Sequence, residues 1–97
     1  MRVHFNVAGV TFGTRRAVLA TLQRGQPVKL RPEPNNLFDP NAIRVETLEG
    51  DLAGYVPASL TPAVSRSNMD FEVLEVDAGF PYLKLVSVPG PAFPLEQ

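Results

Sequence analysis

The sequence predicts a mainly β domain, a small barrel of five to six strands with two short α-helices. Apolar and polar residues alternate along several short runs, which is the pattern of strands with one buried face. Ten prolines and seven glycines are spread over the 97 residues, which favours many short elements joined by tight turns. Only two segments show helical spacing, too few to cover a parallel sheet. A mostly antiparallel, OB-like barrel therefore fits best, with an SH3-like barrel as the alternative.

The chain opens with a predicted strand over residues 2–9, whose inward positions are Val3, Phe5 and Val7. After bends at Gly9 and Gly13 we expect a short helix, with Thr14 as its N-cap and Gly25 at its C-terminal end. The apolar stripe of this helix comprises Val18, Leu19 and Leu22.

Further strands and one more helix complete the predicted domain. The expected elements are strands at 27–31 and 42–48, a turn at Glu49–Gly50, a strand at 51–56, a short helix over 58–68 with Pro62 in its first turn, and strands at 70–77 and 82–88. The inward positions of the strand at 42–48 are Ile43, Val45 and Thr47. We expect a single domain over residues 1–90 and a flexible C-terminal tail over 91–97.

Composition excludes several classes of protein. The chain has no cysteine, which rules out disulfides, thiolate zinc sites and cysteine nucleophiles. No apolar run approaches the roughly 20 residues of a membrane span, and the N-terminus lacks a signal-peptide pattern, so we expect a cytoplasmic protein without membrane contact. The net charge of −1 excludes a strongly basic nucleic-acid coat, although residues 1–44 carry +5 and residues 45–78 carry −6. Either the two halves form opposed faces or their charges interleave and cancel.

Residue types suited to catalysis are scarce. The single histidine, His4, lies on the outward phase of the first strand, and Glu33 and Asp39 form a carboxylate pair only by proximity in sequence. The chain has no Walker loop, helical histidine pair or nucleophile elbow. We therefore expect no enzyme activity, no metal and no cofactor. A nuclease would need Glu33, Asp39 and a third carboxylate in one pocket.

Two arginines occupy the first turn of the first predicted helix, where acidic residues are usual. Arg15 and Arg16 suit an anion-binding site, because Gly9 and Gly13 would let the backbone approach a phosphate closely. The alternative is that both arginines are simply solvated.

The segment RPEPNNLFDPNA, residues 31–42, is the least ordinary part of the chain. Its prolines restrict the backbone, and its short polar side chains cap their own turns: Asn35, Asn36, Asp39 and Asn41. Such a stiff loop holds Phe38 and Asp39 in set directions, and a fixed aromatic is a stacking surface for a nucleobase. The alternative is that Phe38 plugs one end of the barrel. Phe12 and Tyr55, at other strand ends, are candidates to flank the same groove.

The loop belongs to a longer pattern. The segment VAGVTF, followed after about a dozen residues by GQPVKLRPEPNNLFDPNAIRVETLEGDLAGYVP, resembles the HIRAN domain. That domain occurs at the N-terminus of certain Swi/Snf-type DNA-repair remodellers, and alone or fused to other domains in bacteria and phages. The resemblance extends from about Phe5 to Ser65. It implies a modified OB-like barrel that binds single-stranded DNA and captures a free 3′-hydroxyl end.

The resemblance also implies roles for individual residues. Phe38 would stack on the terminal base, Asp39 would accept a hydrogen bond from the 3′-hydroxyl, Phe12 would form the opposite wall, and Tyr55 would lie near the backbone phosphate. An acceptor-only carboxylate suits a hydroxyl donor and repels a 3′-phosphate.

The chain departs from the family pattern at three positions that are often basic, Thr11, Pro32 and Ala58. Three arginines compensate for the lost phosphate contacts only if they face the same groove: Arg15, Arg16 and Arg31. We predict a monomer or weak homodimer that binds single-stranded DNA at a 3′ end, alongside a separately encoded helicase or nuclease. The alternative is a protein-interaction module of the same fold that has lost nucleic-acid binding.

Overall fold

Six strands and two short helices make up the fold, as the sequence predicts. The computed structural model describes residues 2–88 of the chain, so the expected tail at 91–97 lies outside the described residues. The strands are β1 (His4–Asn6), β2 (Pro27–Pro32), β3 (Ile43–Glu46), β4 (Leu52–Tyr55), β5 (Asp70–Asp77) and β6 (Tyr82–Val88). The helices are α1 (Arg15–Leu19) and α2 (Thr61–Arg66), and a 3₁₀ turn at Ala58–Leu60 precedes α2. Among residues 2–88, no helix has the length and apolarity to cross a bilayer.

All six strands belong to one antiparallel sheet in the order β1-β6-β5-β2-β3-β4. The two edges of this sheet meet just beyond β1, where Ala8 pairs with Tyr55. The Ala8 N–H donates to the Tyr55 carbonyl at 2.7 Å, and the Tyr55 N–H donates to the Ala8 carbonyl at 2.9 Å. This pairing of Ala8 with Tyr55, which we call the seam, brings the edges of the sheet together as a barrel requires.

The chain passes so close to itself at the seam that residue 54 has no room for a side chain. A Cβ atom at Gly54 would lie 2.5 Å from the Ala8 carbonyl oxygen and 2.6 Å from Cγ1 of Val7. Gly54 precedes Tyr55 in the GYVP segment, so the glycine is what allows the last strand of the sheet to reach the first.

The core is formed by the inward-facing residues of the strands together with apolar residues of the two helices and the turns beside them. Phe5 of β1 and Phe71 of β5 meet edge to face, with ring centroids 5.3 Å apart. The valine and leucine side chains that are most completely buried are Leu19, Val45, Val73, Leu83 and Leu85. The predicted inward positions of the third strand are also buried, namely Ile43, Val45 and Thr47.

The first helix is shorter than the sequence predicts. It ends at Leu19 and does not reach Gly25, because the chain continues in tighter turns. In these turns the N–H of Thr21 donates to the carbonyl of Val18, and that of Leu22 to the carbonyl of Leu19. The predicted apolar stripe survives the change: Leu19 and Leu22 are both buried, since residues three apart share a face in either kind of turn.

Other predicted helix and turn signals have mixed outcomes. Thr14 occupies the N-cap position, but its side chain makes no capping hydrogen bond. Gly25 adopts a positive φ of 86°, but it does not end the helix. It lies just before β2, and its N–H donates to the carbonyl of Val73 at 2.7 Å. Pro62 lies in the first turn of α2, as predicted. The turn at Glu49–Gly50 is confirmed by the positive φ of 96° at the glycine.

Candidate nucleic-acid interface

The loop between β2 and β3 is stiffened by side chains that bond to its own backbone. The Asn36 carbonyl oxygen Oδ1 accepts the N–H groups of Phe38 at 2.8 Å and Asp39 at 2.9 Å. Asp39 Oδ1 in turn accepts the N–H of Asn41 at 2.9 Å. At the base of the loop, the Glu33 N–H donates to the Ala42 carbonyl. Of the four residues predicted to cap their own turns, Asn36 and Asp39 do so, whereas the side chains of Asn35 and Asn41 make no such hydrogen bond among residues 2–88.

Phe38 projects from the tip of this loop. Its side chain is 99% exposed, and that of the neighbouring Leu37 is 95% exposed. The alternative that Phe38 plugs the end of the barrel is therefore wrong. Two adjacent apolar side chains are therefore exposed on a turn that hydrogen bonds hold in place, which makes them available for contact with a ligand or partner.

A second cluster forms beside the seam from Phe12, Arg15 and Tyr55. The Arg15 guanidinium carbon lies 5.6 Å from the ring centroid of Phe12 and 5.3 Å from that of Tyr55, so one cation contacts two aromatic faces. Arg15 is also anchored by a 2.7 Å hydrogen bond from its NH1 to the Gly9 carbonyl. The alternative that Arg15 is simply solvated is wrong, whereas Arg16 is exposed on α1.

The Glu33 carboxylate connects the loop to the cluster at the seam. Its Oε1 accepts hydrogen bonds from the Asn36 amide at 2.8 Å and the Tyr55 hydroxyl at 2.9 Å. Its Oε2 accepts one from Arg44 at 3.0 Å. The hydrogen bonds from Asn36 and Arg44 are the main reasons why the pKa of Glu33 lies below its ordinary value of 4.5. Glu33 is therefore an anchoring carboxylate and not a free acid.

Arg44 and Glu46 extend this network across the outer face of β3. Nε of Arg44 donates to Glu46 Oε2 at 2.6 Å, and Glu46 is only 2% exposed. The hydrogen bonds to Glu46 and Glu33 raise the pKa of Arg44. Because Arg44 belongs to the basic half of the sequence and Glu46 to the acidic half, the two halves interleave here and their charges cancel.

Arg31 lies at the far end of the network. Its Nε is 3.4 Å from Oε1 of Glu46, and its side chain remains 63% exposed. That distance makes an ion pair, but the geometry falls short of a hydrogen bond, and Oε1 is a buried acceptor without a donor among the described residues. The Arg31 guanidinium is therefore already paired with a buried carboxylate, which reduces its availability for a phosphate.

The structure brings most of the predicted site residues into one connected patch. Phe12, Arg15 and Tyr55 lie together at the seam, and Phe38 with Asp39 joins them through Asn36 and Glu33. Arg31 reaches the same network from β2. Within residues 2–88, the exposed side chain of Arg16 makes no hydrogen bond or ion pair with the patch.

Sequence reasoning missed the roles of Glu33, Arg44 and Glu46. Arg44 and Glu46 are two apart in a strand and therefore share its outer face, so their opposite charges were a usable signal. The pairing of Arg44 with Tyr55 between β3 and β4 was not available, because register is a property of the folded sheet.

Three carboxylates do not converge in the described part of the chain. No group of three or more histidine, cysteine, aspartate or glutamate residues that could hold a metal ion is found within residues 2–88. The pocket that a metal-dependent nuclease would need is therefore not formed by these residues.

The fold defines a small, mainly β domain of six antiparallel strands and two short helices. The chain matches the HIRAN domain over residues 2–79. It belongs to the HIRAN domain family, and the resemblance seen in the sequence is confirmed.

Two sequence relatives agree with this assignment. Helicase-like transcription factor from Oryctolagus cuniculus is 32% identical over 80 residues, and the protein of the same name from Mus musculus is 31% identical over 80 residues. Each match covers 75% of this chain and 8% of the relative, so the chain spans less than a tenth of those proteins.

Two crystal structures share the fold over most of the chain. A protein from Lactobacillus plantarum superposes with a TM-score of 0.68 at 26% identity, covering 90% of this chain and 95% of that one. The HIRAN domain of human HLTF superposes with a TM-score of 0.66 at 20% identity, covering 89% and 72%, and this likeness shows the fold alone.

Proposed function

We propose that this domain binds the free 3′ end of single-stranded DNA, as a non-enzymatic module in DNA repair or replication-fork processing. The observation that carries the proposal is the loop, which holds a fully exposed Phe38 beside the carboxylate of Asp39. Relatives named helicase-like transcription factor support an association with nucleic acid. Those proteins are much longer than this chain, and a helicase or nuclease is the partner that the proposal implies.

Recognition of the end divides between stacking and one hydrogen bond. Phe38 and Phe12 offer two aromatic faces to the terminal base, and stacking on one such face contributes about 1–3 kcal/mol. Asp39 keeps one oxygen on the Asn41 N–H, which fixes the direction of the carboxylate. A carboxylate has about four acceptor positions, so capacity remains for a 3′-hydroxyl. A 3′-phosphate in that place would be repelled.

Arg15 supplies the positive charge closest to the aromatic groups. Its guanidinium has five N–H donors, and the Gly9 carbonyl engages one nitrogen. Donors therefore remain for a backbone phosphate at the seam. This arginine lies beside Phe12 and Tyr55, although the often basic position 11 is a threonine.

The experiment compares two oligonucleotides that differ only at the 3′ end. Fluorescence anisotropy is measured for 5′-labelled single-stranded DNA with a 3′-hydroxyl or a 3′-phosphate, at low and high salt. The variants are Asp39→Asn, which keeps an oxygen for the Asn41 N–H, and Asp70→Asn, which removes an exposed carboxylate from β5. A hydrogen bond to a charged acceptor corresponds to a preference for the hydroxyl end of roughly 10- to 100-fold.

The expected result is a hydroxyl preference in the parent that disappears in Asp39→Asn and persists in Asp70→Asn. An unchanged preference in Asp39→Asn would overturn the role of that residue. An RNA oligonucleotide of the same sequence tests the choice of DNA.

A protein-interaction module is the second candidate. It is favoured by the exposed Leu37 beside Phe38 and by the engagement of Arg31 with Glu46, which leaves fewer cations for phosphates. Absence of binding to either oligonucleotide at about 100 μM protein, the weak end of non-specific affinity, would support it.

A further inference from the structure

The two parts of the candidate site come from segments that are distant in sequence. One part is the loop tip with Phe38 and Asp39, and the other is the cluster of Phe12, Arg15 and Tyr55 at the seam. A ligand that contacts both parts needs them at a fixed separation, because small displacements of positioning groups weaken recognition strongly.

Glu33 stands where the two parts meet. It follows β2 directly, and its backbone N–H closes the loop by donating to the Ala42 carbonyl at 2.9 Å. A single oxygen, Oε1, then accepts both the Tyr55 hydroxyl and the Asn36 amide. One atom therefore receives a donor from the seam and a donor from the loop.

The Asn36 amide connects Glu33 to the tip of the loop through hydrogen bonds. Its Oδ1 accepts the N–H groups of Phe38 and Asp39, so its NH₂ group must be the end that faces Glu33. If the amide were flipped, its oxygen would face the Glu33 oxygen and its NH₂ group would face the N–H groups of Phe38 and Asp39, and none of these pairs can form a hydrogen bond. The orientation is thus fixed by chemistry, and the chain from the Tyr55 hydroxyl to the Phe38 backbone is continuous.

The charge of the carboxylate matters as much as its position. Glu33 receives donors from Asn36, Tyr55 and Arg44, and an ionised carboxylate is an acceptor at both oxygens. A glutamine of the same shape would direct an NH₂ group at one of these donors. Arg44 cannot easily turn away, since Glu46 holds its Nε at 2.6 Å.

We propose that Glu33 is the positioning residue of this domain, because it holds the loop that carries Phe38 and Asp39 at a fixed position relative to Tyr55. The link to recognition of the 3′ end rests on the proposed function, while the effect on the loop itself does not. Glu33 has no contact with the DNA in this scheme. It acts through Asn36 on one side and Tyr55 on the other.

The experiment has two independent readouts. The first is the backbone order of Phe38 and Asp39 without DNA, measured as ¹⁵N NMR order parameters. The second is the preference for a 3′-hydroxyl over a 3′-phosphate. The variants are Glu33→Gln and Tyr55→Phe, which removes one donor and keeps the ring. Glu49→Gln is the matched control at an exposed turn, and Val73→Ala lowers core stability without touching the network.

We expect Glu33→Gln to lower the order of both amides and to reduce the end preference about tenfold, while the salt dependence of binding is unchanged. Tyr55→Phe should produce a smaller loss in both readouts, and the two control variants should produce none. Unchanged amide order in folded Glu33→Gln would overturn the proposal whatever the DNA data show. A parent protein without end preference, combined with a disordered loop in Glu33→Gln, would refute the proposed function and leave the positioning role standing.

Discussion

Replacing Gly54 with alanine should open the barrel at the seam. The added Cβ would lie 2.5 Å from the Ala8 carbonyl oxygen, 2.6 Å from Cγ1 of Val7 and 3.3 Å from Cγ1 of Val10. The nearest of these neighbours is backbone, so it cannot rotate away. Relief requires a shift of one strand past the other, and that shift breaks the two hydrogen bonds between Ala8 and Tyr55.

The cost of this change has two parts. Overpacking a close contact costs about 1–3 kcal/mol. Each backbone hydrogen bond lost at the seam costs about 1 kcal/mol. With two such bonds lost, the two parts together lower the free energy of unfolding by about 3–5 kcal/mol. For a domain of this size the melting temperature should fall by roughly 12–40 °C.

Thermal unfolding followed by circular dichroism measures this effect. Gly79→Ala is the control, because a Cβ at position 79 would approach only the Asp77 side chain, at 3.3 Å. We expect that control to melt close to the parent. If Gly54→Ala also melts with the parent, the close approach at the seam does not limit stability and the reasoning fails.

Three further changes test the network and the cluster. Arg44→Met removes the closer of the two arginines that pair with the buried Glu46 and leaves only the largely exposed Arg31, so it should cost up to about 3–5 kcal/mol in urea unfolding, whereas Lys29→Met, at an exposed position of β2, should cost little. The lowered pKa of Glu33 means that its contribution to stability is complete above pH 4.5 and is lost as the pH falls through the depressed value. Urea midpoints across that acid range should therefore change less in Glu33→Gln than in the parent. Arg15→Gln should weaken binding of single-stranded DNA and lower the salt slope by about 0.7, and an effect of equal size from Arg24→Gln would contradict a specific role for Arg15.

Local pattern was enough to place most of the secondary structure. The bounds predicted for β5 and β6 agree with the structure, since both strands are long and alternate regularly. The end of α1 was wrong because Leu19 and Leu22, three residues apart, fit a helix and a tighter turn equally well. The order of strands in the sheet depends on pairings between distant segments and could not come from local pattern.

The same division applies to the site. The turns made by Asn36 and Asp39 involve residues within three positions of each other, and the sequence predicts them. The hydrogen bond from Tyr55 to Glu33 spans 22 residues and exists only because β2, β3 and β4 lie side by side. The position of Arg15 between two rings likewise depends on the seam, which joins parts of the chain that the sequence leaves far apart.

The seam also bears on how a ligand bound beside it would be released. Only one residue pair, Ala8 with Tyr55, joins the edge strands within residues 2–88, and β1 itself is three residues long. Fraying of this pair would move the segment of Phe12 and Arg15 away from Tyr55 while the long hairpin of β5 and β6 stays intact. Release of a ligand would then require local opening at the seam and not unfolding of the domain. The lifetime of the complex would depend on how often the two hydrogen bonds of the seam open.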